Sequence, residues 1–262
     1  MHTYIHTHIH THTHTHTDGT TTTDLEETMK MMPEHLISKD DTDDTDYHKQ
    51  TRAQAKEQIQ TVEDRENTTE EVKNTIEELK PKKATGEDDI RADIYQSVYK
   101  QFPITIYALY NECLRRGRLP KKWKKVKIVP ITKPGKENSM EVTKFRPISL
   151  TNVAGKVMEK LLINRIMHFV YRNELLNCNQ YGFTPQKSAI DAAIEVKDYL
   201  EEAIREGQIV IIVTLDVQGA FDSVWWPNIM TLQKLKFPKN LYKLATSYFS
   251  ERTAILNTNN KN

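Results

Sequence analysis

One segment constrains this chain more than any other: Ile209-Val210-Ile211-Ile212-Val213-Thr214-Leu215-Asp216, a β-branched apolar run that ends in a carboxylate. Its composition predicts a central strand covered on both faces. A bare ionised carboxylate in such an interior costs roughly several kcal/mol, so Asp216 must be partnered or lie at the rim of a cleft. Two roles fit the pattern alone. Asp216 either caps a strand-to-helix turn or ligates magnesium in a phosphoryl-transfer site. Asp222 fits less well as a second ligand. Six more residues of strand would carry it about 20 Å away, whereas paired catalytic metals sit about 4 Å apart. A structural role, such as capping the helix that follows, suits it better.

The segments before this run predict an ordered region preceded by a polar one. Residues 1–23 alternate His and Thr and then become a Thr run, which is low complexity with almost nothing to bury. A translated CA dinucleotide repeat reads this way, and metal binding by the aligned histidines is the weaker reading. Residues 24–66 are polar and acidic, and predict disorder with isolated helical turns at most. Order is expected from Thr68, which forms a capping box with Glu71 ahead of Val72, Ile76 and Leu79, with Pro81 ending that helix. A second helix is predicted from Pro103 to Arg116, closed by Gly117. Val126, Ile128 and Ile131 predict a strand, and Pro134-Gly135 a turn. Residues 155–171 predict an amphipathic helix with Val157, Leu161, Leu162, Ile166 and Phe169 on its apolar face. Ser188 and Asp191 cap another helix, whose stripe is Ile190, Ile194, Leu200 and Ile204 and whose stop is Gly207.

The formal net charge is +1, but its distribution is uneven. Acidic residues gather around 40–44, while Arg115 to Lys136 contains no acidic residue, which marks an anion-binding segment. The two cysteines, Cys113 and Cys178, sit in apolar helical patterns and predict buried thiols, with no disulfide partner and no zinc spacing. No run is long and apolar enough for a membrane span, and the N-terminus has no apolar core of a signal peptide.

Taken in order, these segments resemble the reverse transcriptase domain of non-LTR (LINE/jockey-like) retrotransposons. LDVQGAFDSV resembles the first palm motif of that family. KKATGEDDI resembles its opening KAPGxDGI element. LPKKWKKVKIVPITKPGK and FRPISLTNVAGKVMEKLLINR resemble the two fingers motifs. QYGFTPQKSAIDA resembles QFGFRxxRSTxDA, and WWPNIMTLQKLKFP the helix after the catalytic strand. The resemblance covers residues 68–262.

It implies an α+β fold: right-hand polymerase fingers plus a partial palm at 67–262, behind a low-complexity, disordered tail at 1–66. It further implies that Asp216 ligates the catalytic Mg2+ ions, helped by the carbonyl of Val217. Phe221 would be the steric gate that excludes a 2′-hydroxyl. Lys133 and Arg146 would hold the triphosphate of the incoming dNTP, which suits a planar guanidinium. Gln180, Gly182 and Phe183 would lie near the template. The lysines from Lys121 to Lys127 either touch template phosphates or form a solvated basic face. The implied partners are an RNA template, a DNA primer and dNTP, in the cytoplasm or nucleus.

The sequence departs from the family pattern at several points. Asp89 stands in place of a Gly, which puts the first turn in question; Thr184 replaces an Arg and Ala189 a Thr. After Asp216 the only acidic residues are Asp222 and Glu251, so the Y/F-x-D-D hairpin that completes the metal site in the family is not encoded. The expectation is a C-terminally truncated domain without polymerase activity of its own. The other readings are a non-catalytic nucleic-acid-binding remnant and a functionless product of a decayed element.

Overall fold

The computed structural model describes residues 14–15, 21–22, 44–56, 61–132, 134–135, 145–217, 224–231 and 235–256. The chain divides into two compact units, one formed by Met1–Arg165 with Phe221–Asn262 and the other by Ile166–Ala220.

The larger unit mixes helices with a small sheet. Within the His-Thr region, β1 (His14–Thr15) pairs antiparallel with β2 (Thr21–Thr22). Then come α1 (Asp46–Lys56), α2 (Thr69–Glu77), α3 (Ala92–Gln101) and α4 (Pro103–Arg116). The expected cap of α2 is present: Glu71 N–H donates to Thr68 Oγ1 at 3.1 Å, and Thr68 N–H donates to Glu71 Oε2 at 2.7 Å. Gly117 closes α4 in the left-handed region at φ 58, with Arg118 N–H donating to the Cys113 carbonyl and Gly117 N–H to that of Leu114. A side chain at Gly117 would collide with Lys243, so close approach as well as backbone conformation favours glycine there.

A 3₁₀ turn (Lys121–Lys124) leads into β3 (Lys125–Thr132), the middle strand of a three-stranded sheet. On one side β3 runs antiparallel to β4 (Phe145–Thr151); on the other it runs parallel to β5 (Thr253–Leu256). Alternation decides the faces, with Val126 and Ile128 buried and Lys125 exposed. The helix α5 (Val153–Arg172) follows β4 and buries Val157, Met158, Leu161 and Leu162. Further on are the short α7 (Trp226–Met230) and α8 (Lys239–Phe249), the latter packed on α4 and burying Leu241 and Leu244.

Order begins earlier than the sequence predicts. The helix α1 packs on α7, where the His48 ring lies 4.8 Å from that of Trp225 and Arg52 sits 5.2 Å over the same indole. Asp44 holds Arg52 through bonds of 2.6 and 3.1 Å, and Tyr242 donates to the Ala55 carbonyl at 2.8 Å. Residues 61–67 are fastened next. Thr61 Oγ1 donates to the Phe237 carbonyl, while Asp64 and Asn240 exchange two hydrogen bonds of 2.8 and 2.9 Å. The Arg165 guanidinium, nearly buried, reaches Asp64 at 2.7 Å, Glu71 at 2.9 Å and the carbonyls of Arg65 and Glu66. Burial pushes the Glu71 carboxyl up, but the Thr68 N–H and Arg165 outweigh it and hold the group below its ordinary value.

The smaller unit contains the end of α5, a loop, and α6 (Ala189–Arg205). The Ser188–Asp191 capping box is present, and Gly207 (φ 75) follows the last turn. Two expectations fail here. Among the described residues, 209–216 form no ladder and are exposed rather than covered on both faces, with Ile209 at 94% and Leu215 at 92% exposure. The α6 stripe is likewise uncovered: Ile190, Ile194 and Ile204 are all exposed. The run has strand composition, but pairing and burial come from neighbours, and no described segment supplies them. Cys178 is also exposed, in the loop, whereas Cys113 is buried as predicted, and burial pushes its thiol up to about 11.

Candidate nucleotide and nucleic-acid site

Three of the sequence motifs converge in the larger unit. At Gly86 the 83–90 turn meets the start of α5 so closely that a Cβ there would lie 2.6 Å from the Asn152 nitrogen. Asn152 organises this junction: its Oδ1 accepts from Gly155 N–H at 2.7 Å and its Nδ2 donates to the Lys122 carbonyl at 3.1 Å. Lys156 donates to the Ala84 carbonyl at 3.2 Å, and Lys125 pairs with Glu87 at 3.3 Å. Burial holds the Lys156 ammonium below its ordinary value. The first turn forms despite Asp89, which adopts the left-handed region at φ 52, the conformation a glycine would take without strain. Thr85 Oγ1 donates to its carboxylate at 3.2 Å.

The β3–β4 hairpin carries the residues expected to meet a triphosphate. Arg146 is exposed on β4, opposite Ile131. Lys133 follows Thr132 in the chain and lies outside the described residues, as do Phe221 and Asp222. Asp216 and Val217 belong to the smaller unit, where both are exposed. Their carboxylate and carbonyl are hard oxygen donors of the kind magnesium prefers. Among the described residues no three His, Cys, Asp or Glu side chains gather closely enough to hold a metal ion.

Cations in the basic segment differ sharply in their company. Arg115 and Arg116 both pair with Glu112, while Lys121 and Lys122 are exposed. Lys124 is buried, a position that sequence reading missed because it treats the lysine run as one uniform face. In the smaller unit the 178–187 loop uses left-handed backbone at Phe183 and Gln186. There Gln180 Nε2 donates to the Gly182 carbonyl at 2.8 Å, and the Lys187 ammonium lies 4.7 Å over the Tyr181 ring. Gln180, Gly182 and Phe183 are all exposed.

Comparison with known proteins decides the family. The description "Reverse transcriptase (RNA-dependent DNA polymerase)" matches residues 131–261, half of the chain. The chain belongs to the reverse transcriptase family. It is 34% identical over 175 residues to "RNA-directed DNA polymerase from mobile element jockey" of Drosophila melanogaster, covering 67% of this chain and 19% of that protein. The jockey protein of Drosophila funebris is 32% identical over 174 residues, covering 66% and 19%. "Probable RNA-directed DNA polymerase from transposon BS" of Drosophila melanogaster is 30% identical over 183 residues, covering 70% and 20%. The domain is therefore of the jockey-like, non-LTR retrotransposon kind, and the chain spans about a fifth of the length of these relatives. No described helix is long and apolar enough to cross a membrane.

Proposed function

We propose that this chain is the fingers and first palm segment of an intracellular RNA-directed DNA polymerase, with residues from 67 onward carrying that role. The observation that carries the reading is the match to reverse transcriptases over 131–261, joined to the packing of the 83–90 turn against the two fingers motifs. In this reading Asp216 and the Val217 carbonyl contribute oxygen ligands to magnesium, which when bound supplies charge stabilisation for nucleotidyl transfer. Arg146 and Lys133 bind the triphosphate, and Phe221 packs against the incoming sugar. An RNA template and DNA primer complete the assembly.

The 262 residues are not expected to polymerise by themselves. Asp222 and Glu251 are the only acidic residues after Asp216. One carboxylate cannot hold two divalent ions at about 4 Å against their repulsion. Primed RNA incubated with the purified chain, magnesium and dNTP should give no extension product. Product above the level of an Asp216→Asn variant overturns the claim of inactivity. A second reading, nucleic-acid binding without catalysis, is favoured by the exposed Lys121, Lys122 and Arg146. It predicts RNA affinity that falls steeply with salt and does not need magnesium.

A further inference from the structure

Lys124 is the anomalous cation of this molecule. It is 6% exposed, and among the described residues its ammonium has no hydrogen-bond or ion-pair partner. A charge at the end of a buried side chain with no ion pair carries a desolvation cost, which an anion meeting it would offset. After burial, the carboxylate of Glu251 is the largest charge acting on it and opposes the effect of burial, whereas Arg118, Arg252 and Lys121 act on it as like charges.

The backbone explains why these cations meet. The 3₁₀ turn ends at Lys124, and β3 starts at Lys125, which is in register with Thr253 of the parallel strand β5. Residues 124 and 252 therefore precede the same rung on neighbouring strands. Arg118 sits just past the Gly117 stop, and the next residue ties this turn to α8 through Leu119 N–H to Ser247 Oγ at 2.9 Å. One residue further along α8, the Tyr248 ring lies 4.3 Å beneath the Arg252 guanidinium. Arg252 Nη1 also donates to the Tyr248 carbonyl at 3.4 Å, which leaves other guanidinium N–H groups for a ligand. Neighbouring cations are otherwise engaged: Arg115 and Arg116 with Glu112, and Lys125 with Glu87.

We propose that Lys124, Arg118, Lys121 and Arg252 form a cradle for one backbone phosphate of a single-stranded RNA. Two guanidinium forks and two ammonium groups on the adjoining turn and strand ends suit a tetrahedral oxyanion with several acceptor oxygens. The choice of RNA as the source of that phosphate rests on the polymerase reading above. The cradle draws on residues far apart in sequence, so it is a specific site and not the general lysine run.

The test is fluorescence anisotropy of a labelled single-stranded RNA titrated with the full chain at several salt concentrations. Single variants Arg118→Gln, Lys121→Gln and Arg252→Gln, their triple combination, and Lys124→Met are compared with Lys82→Gln and Lys100→Gln, two exposed lysines elsewhere in the chain. Each cradle variant should weaken binding by up to about tenfold, while the two controls leave it unchanged. Because one phosphate is shared, the triple variant should lower the log–log salt slope by only about 0.7, not by three times that. Circular dichroism of each variant checks that the fold is retained, and Lys124→Met keeps the side-chain volume if the triple variant unfolds. A folded triple variant with wild-type affinity and slope overturns the cradle and leaves the polymerase reading standing. Failure of the wild-type chain to bind RNA overturns both. If dTTP removes the difference between wild type and triple variant, the cradle takes a free nucleotide phosphate and the RNA assignment is overturned.

Discussion

At the scale of single residues, two positions of the 83–90 turn carry opposite predictions. Gly86 lies against the Thr151–Asn152 backbone with no room for a side chain. Gly86→Ala should therefore cost about 2 kcal/mol in a urea melt, since the neighbour that must yield is main chain. Asp89 holds φ 52 without being a glycine. Asp89→Gly should raise stability by about 0.5 kcal/mol, less than full relief because the bond from Thr85 is lost. The sequence flagged Asp89 as a departure that put the turn in question. The turn forms nonetheless, because Asp tolerates the left-handed region better than most residues. Lys124 was illegible for a different reason. Nothing in KKWKKVK distinguishes one lysine from the next until β5 is laid beside β3.

Local signals read well at the scale of elements; those depending on distant partners did not. The two capping boxes, the Gly117 stop and the alternation of Val126 and Ile128 lie within a few residues of what they control, and each is found where expected. The helix α1 was missed because its sequence, DYHKQTRAQAK, has little apolar content. It is held by an indole, a tyrosine hydroxyl and an Asp-Arg pair, not by a hydrophobic stripe. Tyr242→Phe should then cost about 1 kcal/mol and raise amide exchange in α1 above that in α4. The strap at 61–67 depends on Arg165. Arg165→Met should destabilise by about 2–3 kcal/mol, because Asp64 and Glu71 lose their shared cation. Glu71 also gives a pH signature. Its folded value lies below its unfolded one, so its contribution is complete above the ordinary carboxylate range and fades as pH falls through the lowered value. Acid titration of the melting temperature should show a smaller loss in Glu71→Gln than in wild type.

The whole molecule is uneven in how much of its apolar surface it covers. The larger unit buries Tyr110, Leu114, Val157 and Leu244 almost fully. The smaller unit leaves Ile209, Ile211, Val213 and Leu215 in the open, along with the stripe of α6. An exposed apolar run of strand composition outside any sheet is a site for association with another chain. The purified chain should bind anilinonaphthalene sulfonate and form oligomers in sedimentation velocity, and Ile211→Lys with Val213→Lys should reduce both. The motif LDVQGAFDSV remains legible as family sequence in this region, whereas the covered strand it predicts needs companions that the described residues do not provide.

The parallel pairing of β3 with β5 has a consequence for how the protein is made. The contact between Leu119 and Ser247 beside that pairing joins residues 128 apart in the chain. At a synthesis rate of about 5–20 residues per second, a ribosome needs roughly ten seconds to reach the second partner after making the first. For that interval β3 of the nascent chain lacks its β5 neighbour and keeps a bare edge.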